Sequence, residues 1–296
     1  MRARVSGRLF PYLMTAPALI VMAAVVFYPF LYNFSLATRN MSLYHYAHPQ
    51  FVGLANFRRI FSDPDFYAVF VKTVIWTVAN LTFHVLFGVA LGIVLNRPLR
   101  GRAFFRALLI LPWAVPQYIS ALTWRGMFNP EFGALNLIIR NILHLAPVPW
   151  QSNAACAFLS AIITNVWLGF PFIMIVTLGG LQSIPGELYE AADIDGATGW
   201  QKLSRITLPG LLPVLAPSVL LGMVWTFNNL NVIWLVTDGG RPADQSHILT
   251  TFIYKSAFEY YRYSYAAAFS VIVFFILLGF TALFMRQLRQ QEGRAA

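Results

Sequence analysis

The sequence contains little charge, one cysteine and three lysines, and each shortage excludes a class of function. Charged residues make up 11% of the 296 positions, whereas a soluble domain carries about a quarter. The only cysteine, Cys156, allows no intrachain disulfide and is expected to be a small apolar filler. No lysine follows a glycine, so the Gly-Lys-Ser/Thr loop that cradles ATP phosphates is missing. Metal-ligand clusters and nucleophile-elbow patterns are also missing, so we predict a chain that is not an enzyme and holds no metal or cofactor.

Long apolar runs are what the sequence has instead, and hydrophobic residues make up 58% of it. A membrane helix needs about 20 apolar residues to cross a hydrocarbon core roughly 30 Å thick. Six runs approach this length, at 11–32, 68–95, 104–125, 155–179, 212–236 and 265–285. We therefore predict an all-α polytopic membrane protein with six transmembrane helices. Residues 1–10 would form an N-terminal segment and 11–296 a single transmembrane domain.

The distribution of basic residues predicts the orientation of these spans. The net charge is +10, and arginines crowd the N-terminus, the short link between spans two and three, and the C-terminus. An even number of spans places these three segments on one side, and positively charged segments stay in the cytoplasm. Both termini are therefore expected to be cytoplasmic, in a bacterial cytoplasmic membrane with lipid around the spans. Because the charge flanks spans, nucleic acid is not an expected partner.

All eleven acidic residues fall outside the six spans. Proton- and sodium-coupled carriers usually need buried carboxylates or ion ligands near the membrane midplane. Within the spans we expect Lys72 to reach toward the membrane interface. His84 is either a proton relay or a hydrogen-bonded packing residue, and the second interpretation is favoured. Uphill transport would therefore need energy from another polypeptide.

Residues 180–211, which we call the coupling loop, are polar and separate two strongly apolar segments. Glu187 and Glu190 favour the positive end of a helix dipole, and Gly196 suits a helix stop. Thr198 and Gln201 have the spacing of a capping box that opens a second short helix, which Pro209 is expected to end. Two short helices joined at a glycine and presented outside the membrane would dock a soluble partner.

The coupling loop also carries a family signature. Glu190-Ala191-Ala192, then Gly196, then Ile206-Thr207-Leu208-Pro209 resembles the cytoplasmic motif of permeases in binding-protein-dependent ABC importers. Further segments resemble the carbohydrate branch of that family, at 51–57, 96–102, 111–113, 128–130 and 239–240. The resemblance covers nearly the whole chain and implies the type I importer permease fold.

This resemblance implies the partners. A second permease subunit would share the pathway, two ATPase subunits would bind ATP beneath it, and an extracytoplasmic sugar-binding protein would deliver cargo. The coupling loop would sit in a groove of the ATPase, with Glu190 paired to a basic residue and Gly196 allowing a sharp turn. The implied coupling residues are Glu190, Ala191, Ala192, Asp193, Gly196, Ile206, Leu208 and Pro209. The alternative is a solvated connecting helix.

Span five carries residues whose chemistry suits a sugar. Gly222, Trp225, Thr226 and Asn229 have the spacing i, i+3, i+4 and i+7, which places them on one helix face. Such a polar and aromatic stripe is costly against lipid and should face a cavity or a partner helix. The alternative is packing and interhelical hydrogen bonding.

Span four supplies the second half of the expected site. The run 165–172 resembles the larger permease subunits of maltose and maltodextrin importers, which implies sugar contacts at Asn165, Trp167, Gly169 and Phe172. Phe172 lacks a hydroxyl where those subunits have a tyrosine. Pro171 removes a helix hydrogen bond, so the backbone there is expected to kink or open.

Together these observations predict the permease subunit of a sugar ABC importer, with a disaccharide or oligosaccharide such as maltose, maltodextrin or trehalose as cargo. Importers of glycerol-3-phosphate or another small solute share the signature, but a phosphate would demand basic residues that spans four and five lack. A membrane enzyme acting on lipid-linked sugars is the less favoured alternative.

Overall fold

A computed structural model describes the backbone of residues 10–295 and the side chains of residues 12–286. The predicted N-terminal segment 1–10, apart from its last residue, lies outside this range. Every regular element within the range is helical, and a single bridge pairs Arg39 with Phe51. The all-α prediction is confirmed.

The predicted number of spans also agrees with the structure. Five helical segments of the described chain are long and apolar enough to cross a membrane, at Tyr12–Ala37, Pro64–Asn96, Ala154–Ser183, Gly199–Phe227 and Tyr263–Arg286. A sixth span is formed if the bent pair Arg102–Ala114 and Gln117–Met127 counts as one.

The chain divides into two compact units. The first contains the residues up to Phe66 together with Ile253–Leu278. Its helices before Phe66 are α1 (Phe10–Met22), a π-helical turn (Ala23–Phe27), α2 (Tyr28–Ala37), a 3-10 turn (Leu43–His45) and α3 (Ala55–Phe61). Phe30 and Phe34 pack edge-on against Phe274, with ring centroids 5.0 and 6.3 Å away.

The second unit contains Tyr67–Phe252 and the chain from Gly279 onward. Its helices up to the coupling loop are α4 (Pro64–Asn96), α5 (Arg102–Ala114), α6 (Gln117–Met127), α7 (Ala134–Asn141) and α8 (Ala154–Ser183). The chain continues through α9 (Gly186–Ile194), α10 (Gly199–Lys202), α11 (Leu208–Phe227), α12 (Asn231–Val236), α13 (Leu249–Phe258) and α14 (Tyr263–Ala295). Helices α4, α13 and α14 belong partly to each unit.

Small residues set the packing of α4 on α8. A Cβ at Gly88 would lie 2.6 Å from the Cβ of Ile173, and a Cβ at Gly92 would lie 2.7 Å from Thr177 Cγ2. Glycine at these two positions lets the backbones approach closely, as is common between membrane helices.

Span three is not a single straight helix, which corrects the prediction for 104–125. Helices α5 and α6 meet at 95°. Val115 precedes Pro116 and adopts an extended conformation (φ −81°, ψ 136°), because the proline ring excludes the helical region for the residue before it. The span therefore breaks in the middle of an apolar run.

Span five also breaks, since α11 ends at Phe227 and α12 begins at Asn231. Asn229 therefore lies in the connection, and the expected helical stripe is wrong at this residue. Its side-chain oxygen accepts a hydrogen bond from the amide of Val232 at 3.1 Å, and this local bond competes with continuation of the helix.

Two other prolines leave their helices unbroken. Pro209 does not end the second loop helix, because a π-helical turn at Leu203–Thr207 carries the chain directly into α11. Pro209 is at the start of α11, where backbone amides have no acceptor within the helix. The missing amide hydrogen of proline therefore costs no helical hydrogen bond there. Pro171 lies within α8, which continues to Ser183 without opening.

Candidate functional site

A cavity of about 820 Å³ lies in the second unit, beside both broken spans. The polar side chains that line it are His84, Gln117, Asn165, Thr226, Asn228, Asn229 and Asn231. The aromatic side chains that line it are Trp113, Phe172 and Trp225. The breaks at 115–116 and 228–230 thus bring side-chain amides and backbone polar groups to the cavity. If the two spans were continuous apolar helices, this site would be apolar.

Hydrogen bonds connect four helices and the connection at 228–230 around this cavity. Asn165 on α8 accepts a bond at its Oδ1 from Asn229 Nδ2 in the connection, at 2.9 Å. His84 on α4 lies with its Nε2 2.9 Å from the main-chain oxygen of the same Asn165. Asn231 Nδ2 donates to Gln117 Oε1 across 3.4 Å, which links α12 to the start of α6. His84 is therefore a hydrogen-bonded residue that also faces the cavity.

The aromatic rings form a platform beside the amides. Phe172 and Trp225 have ring centroids 5.4 Å apart at an angle of 55°, and Trp225 is 53% exposed. Aromatic faces of this kind stack on the apolar sides of sugar rings, and one aromatic contact contributes on the order of 1 kcal/mol. An adjacent row of amides would supply hydrogen bonds for hydroxyl groups.

Seven of the eight residues predicted to bind sugar line this one cavity. They are Asn165, Gly169, Phe172, Gly222, Trp225, Thr226 and Asn229. Trp167 is absent from the lining and packs on Trp124 of α6 at a centroid distance of 5.7 Å. Its expected sugar contact remains a prediction that this arrangement does not favour.

Sequence reasoning did not assign Trp113 and Gln117 to the site. Both flank the break between α5 and α6. The sequence feature that could have predicted this break is the pair of prolines in Pro112-Trp113-Ala114-Val115-Pro116, inside an apolar run. Asn228 and Asn231 also line the cavity.

Among the residues that the structure describes, the lining of the cavity includes no aspartate, glutamate, lysine or arginine, and His84 is its only histidine. Among the described residues no group of three histidines, cysteines or acids is arranged to hold a metal. The site therefore offers hydrogen bonds and aromatic surface and no fixed charge.

The coupling loop is an ordered structure at the base of α8 and α11. Helix α9 ends at Ile194 with Asp195 as its C-cap, and Gly196 adopts a left-handed conformation with φ +70°, which favours glycine. Thr198 and Gln201 form the predicted capping box at the start of α10.

Side-chain bonds hold the two arms of the loop together. Lys202 forms an ion pair with Asp193, and Tyr189 Oη lies 2.9 Å from Thr207 Oγ1. Asp193 therefore has a partner within the chain, whereas Glu190 is exposed.

The other predicted coupling residues are distributed along both arms. Ala191 is exposed and Ala192 half-buried on α9, while Ile206 is half-buried in the π-helical turn. Leu208 and Pro209 are exposed at the start of α11.

At the tip of the loop, apolar side chains are left uncovered. Ile194 is 88% exposed and Trp200 is 72% exposed. An apolar surface of this kind typically marks a contact site for another protein.

Apolar spans around a polar cavity, with an ordered loop beyond the spans, are the architecture of a membrane transport permease. The family described as "binding-protein-dependent transport system inner membrane component" matches residues 84–292, and the chain belongs to it. The alternative of a membrane enzyme acting on lipid-linked sugars is therefore wrong.

Several relatives are similar over nearly the whole chain. The galactooligosaccharides transport system permease protein of Bacillus subtilis is 38% identical, over 97% of this chain and 72% of that protein. The trehalose/maltose transport system permease protein of Thermococcus litoralis is 36% identical, over 93% of this chain and 92% of that protein. The maltodextrin transport system permease protein of Streptococcus pneumoniae is 34% identical, over 94% and 69%.

The fold matches a solved importer. A chain of the bacterial alginate ABC transporter, solved in complex with alginate pentasaccharide-bound periplasmic protein, superposes with a TM-score of 0.82. The match covers 95% of this chain and 94% of that chain at 21% sequence identity. The prediction of a type I ABC importer permease fold is confirmed.

Proposed function

We propose that this chain is the permease subunit of a sugar importer and that its cargo is a neutral disaccharide or oligosaccharide. The observation that carries the proposal is the uncharged cavity, in which five amide side chains lie beside the Phe172–Trp225 platform. Amides donate to and accept from hydroxyl groups, and aromatic faces cover the apolar sides of sugar rings.

The size of the cavity and the names of the relatives support the same cargo. A volume of about 820 Å³ lies in the roughly 300–1,000 Å³ range of small-molecule sites and has room for more than one sugar ring. The relatives are named for galactooligosaccharides, trehalose/maltose and maltodextrin, all of them neutral sugars. Maltose, trehalose and maltodextrin are therefore the first cargoes to test.

The uncharged lining disfavours glycerol-3-phosphate. A phosphate carries up to two negative charges, and phosphate sites usually use arginine, lysine or a metal ion. The described lining of the cavity has no arginine or lysine.

The chain works with partners in this proposal. A second permease completes the pathway, two ATPase subunits supply the energy from the cytoplasm, and an extracytoplasmic binding protein delivers the sugar. Both termini and the coupling loop lie on the cytoplasmic side. ATP and the loaded binding protein each bind one conformation better than the other, and this difference in affinity drives the cycle.

The coupling loop is the contact with the ATPase. Its exposed Glu190 suits an ion pair with a basic residue of a groove, and Ile194 and Trp200 provide apolar contact area. We expect Glu190→Ala to leave ATP hydrolysis by the complex in place and to lower sugar uptake at least several-fold. Uptake by Glu190→Ala equal to that of the wild type would contradict the role of this carboxylate.

Uptake by the reconstituted complex tests the cargo. Liposomes containing the four-subunit complex and the binding protein are supplied with radiolabelled maltose, trehalose, a maltodextrin or glycerol-3-phosphate. ATP-dependent accumulation of a neutral sugar is expected, with no accumulation of glycerol-3-phosphate. Accumulation of the phosphate ester alone would overturn the proposal.

A further inference from the structure

We propose that the first turn of α6 binds the cargo directly, with the backbone amide of Gln117 and the side-chain amide of Asn165 each donating to an oxygen of the sugar. The inference rests on the proposed function. It adds to the sugar site a backbone hydrogen-bond donor from span three, which the sequence had not indicated as part of the site.

The break at Pro116 creates the free donor. Helix α6 has 11 residues and begins after Pro116, which supplies no side-chain cap. The amides of Ile119 and Ser120 both donate to the carbonyl of Pro116, at 3.0 and 3.2 Å. The amide of Gln117 donates to no protein acceptor in the described part of the chain, and Gln117 lines the cavity. Helix N-termini also carry a partial positive charge that favours electron-rich ligand atoms.

Asn165 provides a second, independent observation. It is only 4% exposed, and its Oδ1 and main-chain oxygen are both occupied, by Asn229 and His84. Its Nδ2 is buried and has no hydrogen-bond partner in the part of the chain that the structure describes, and the residue lines the cavity. Leaving a buried donor unpaired costs about 1–3 kcal/mol, so an unpaired amide beside a cavity indicates a missing acceptor.

The two donors belong to one connected arrangement. Gln117 is bonded to Asn231, which follows Asn229 by two residues, and Asn229 is bonded to Asn165. Both unpaired groups are hydrogen-bond donors, so the ligand atoms that they bind must be acceptors. A sugar hydroxyl or a uronate carboxylate has such an oxygen, and the lack of arginine and lysine in the lining favours the hydroxyl of a neutral sugar.

Gln117 permits a test of its backbone amide alone. Gln117→Pro removes both the amide hydrogen and the side chain, whereas Gln117→Ala removes only the side chain. Proline is well tolerated at the first position of a helix, and Pro116 (φ −53°, ψ 130°) already has the conformation required before a proline. Both variants should therefore assemble, as checked by co-purification of the complex and its melting temperature.

The expected result is a difference between these two variants. The concentration of neutral sugar giving half-maximal uptake, measured in liposomes at saturating binding protein, should be roughly three- to tenfold higher in Gln117→Pro than in Gln117→Ala, as for one lost hydrogen bond. Equal values for two assembled variants would overturn the inference. If the wild-type complex accumulates no sugar, the proposed function itself fails, so the two failures are distinguishable.

A second variant and a second ligand test the other donor. Asn165→Asp keeps the side-chain oxygen that accepts from Asn229 and replaces the unpaired NH₂ group with a second oxygen. It should therefore raise the half-saturating concentration of the same sugar by a factor similar to that expected for Gln117→Pro. A disaccharide uronate, added as a competitor to the wild type, should compete less well than the neutral disaccharide. Stronger competition by the uronate would overturn the assignment of the acceptor to a hydroxyl group.

Discussion

Gly169 leaves no room for a side chain between α8 and α4. A Cβ at this position would overlap the imidazole ring of His84, which is held by its contact with the main-chain oxygen of Asn165. We therefore expect Gly169→Ala to destabilise the protein by about 1–3 kcal/mol, as overpacking of a filled site does. The melting temperature of the purified complex should fall accordingly.

Gly179 provides the matched control in the same helix. A Cβ there would meet nothing within 4 Å, so Gly179→Ala should keep the melting temperature or raise it through better helix propensity. Removing the obstructing ring with Gly169→Ala/His84→Ala should recover part of the loss. An unchanged melting temperature in Gly169→Ala would show that the helices do not approach this closely.

Trp225 lines the cavity and is 53% exposed, as is Trp113. Because half of its surface is uncovered, its replacement should affect binding more than folding. Trp225→Ala is expected to raise the half-saturating sugar concentration roughly fivefold, since one aromatic contact contributes on the order of 1 kcal/mol, and Trp225→Phe should raise it less.

Uptake in liposomes measures this effect, and Tyr44→Ala is the control. Tyr44 is a 91% exposed aromatic residue in the first unit and does not line the cavity. If Trp225→Ala and Tyr44→Ala had the same effect, the platform would have no part in binding.

At the scale of helices, the sequence predicted where membrane spans occur better than it predicted whether each span is one continuous helix. Apolar runs identified every span because the length of a run and its lack of charge are local properties. Breaks depend on which hydrogen bonds replace the lost helical ones, and this is decided by tertiary partners. Asn229 bonds to Val232 and to Asn165, which is 64 residues away, and no periodicity reports such a pairing.

The same reasoning explains which site residues were found. Gly222, Trp225 and Thr226 share one uninterrupted helix, so their spacing was informative. Gln117 reaches the cavity only because α5 and α6 meet at 95°, an angle that a hydropathy pattern does not contain. The capping box of the coupling loop was predictable because both of its bonds lie within four residues.

The tip of the coupling loop has an apolar surface that its own chain leaves uncovered. We expect Ile194→Glu to abolish co-purification of the ATPase subunits, because a charge would be buried without a partner in the proposed interface. The variant should remain in the membrane, since Ile194 makes little contact within the chain.

Ile142→Glu is the matched control for this experiment. Ile142 follows α7 and is 68% exposed, so the same change is made at another uncovered isoleucine outside the coupling loop. Recovery of the ATPase with Ile194→Glu at the level seen with Ile142→Glu would contradict docking at the tip.

Across the whole molecule, the coupling loop and the cavity share two helices. A Cβ at Gly180 of α8 would lie 2.8 Å from Leu211 Cδ2 of α11, and a Cβ at Gly210 would lie 2.9 Å from Ile184 Cδ1. The two helices are therefore tightly packed where they leave the loop. Phe172 and Trp225 lie further along the same helices, so we expect a displacement of the loop to move the site with it.

This mechanism requires the coupling loop to lie in the cytoplasm, and the single cysteine makes that testable. With Cys156→Ser as background, we expect Tyr44→Cys to react with a membrane-impermeant maleimide in intact spheroplasts, and Gly199→Cys to react only in inverted vesicles. Tyr44 is almost fully exposed, and a Cβ at Gly199 meets nothing within 4 Å, so both thiols should be reachable. Labelling in detergent gives the total thiol, and the background variant should stay unlabelled. Reaction of Gly199→Cys from the outside would place the loop away from ATP and remove the proposed coupling route.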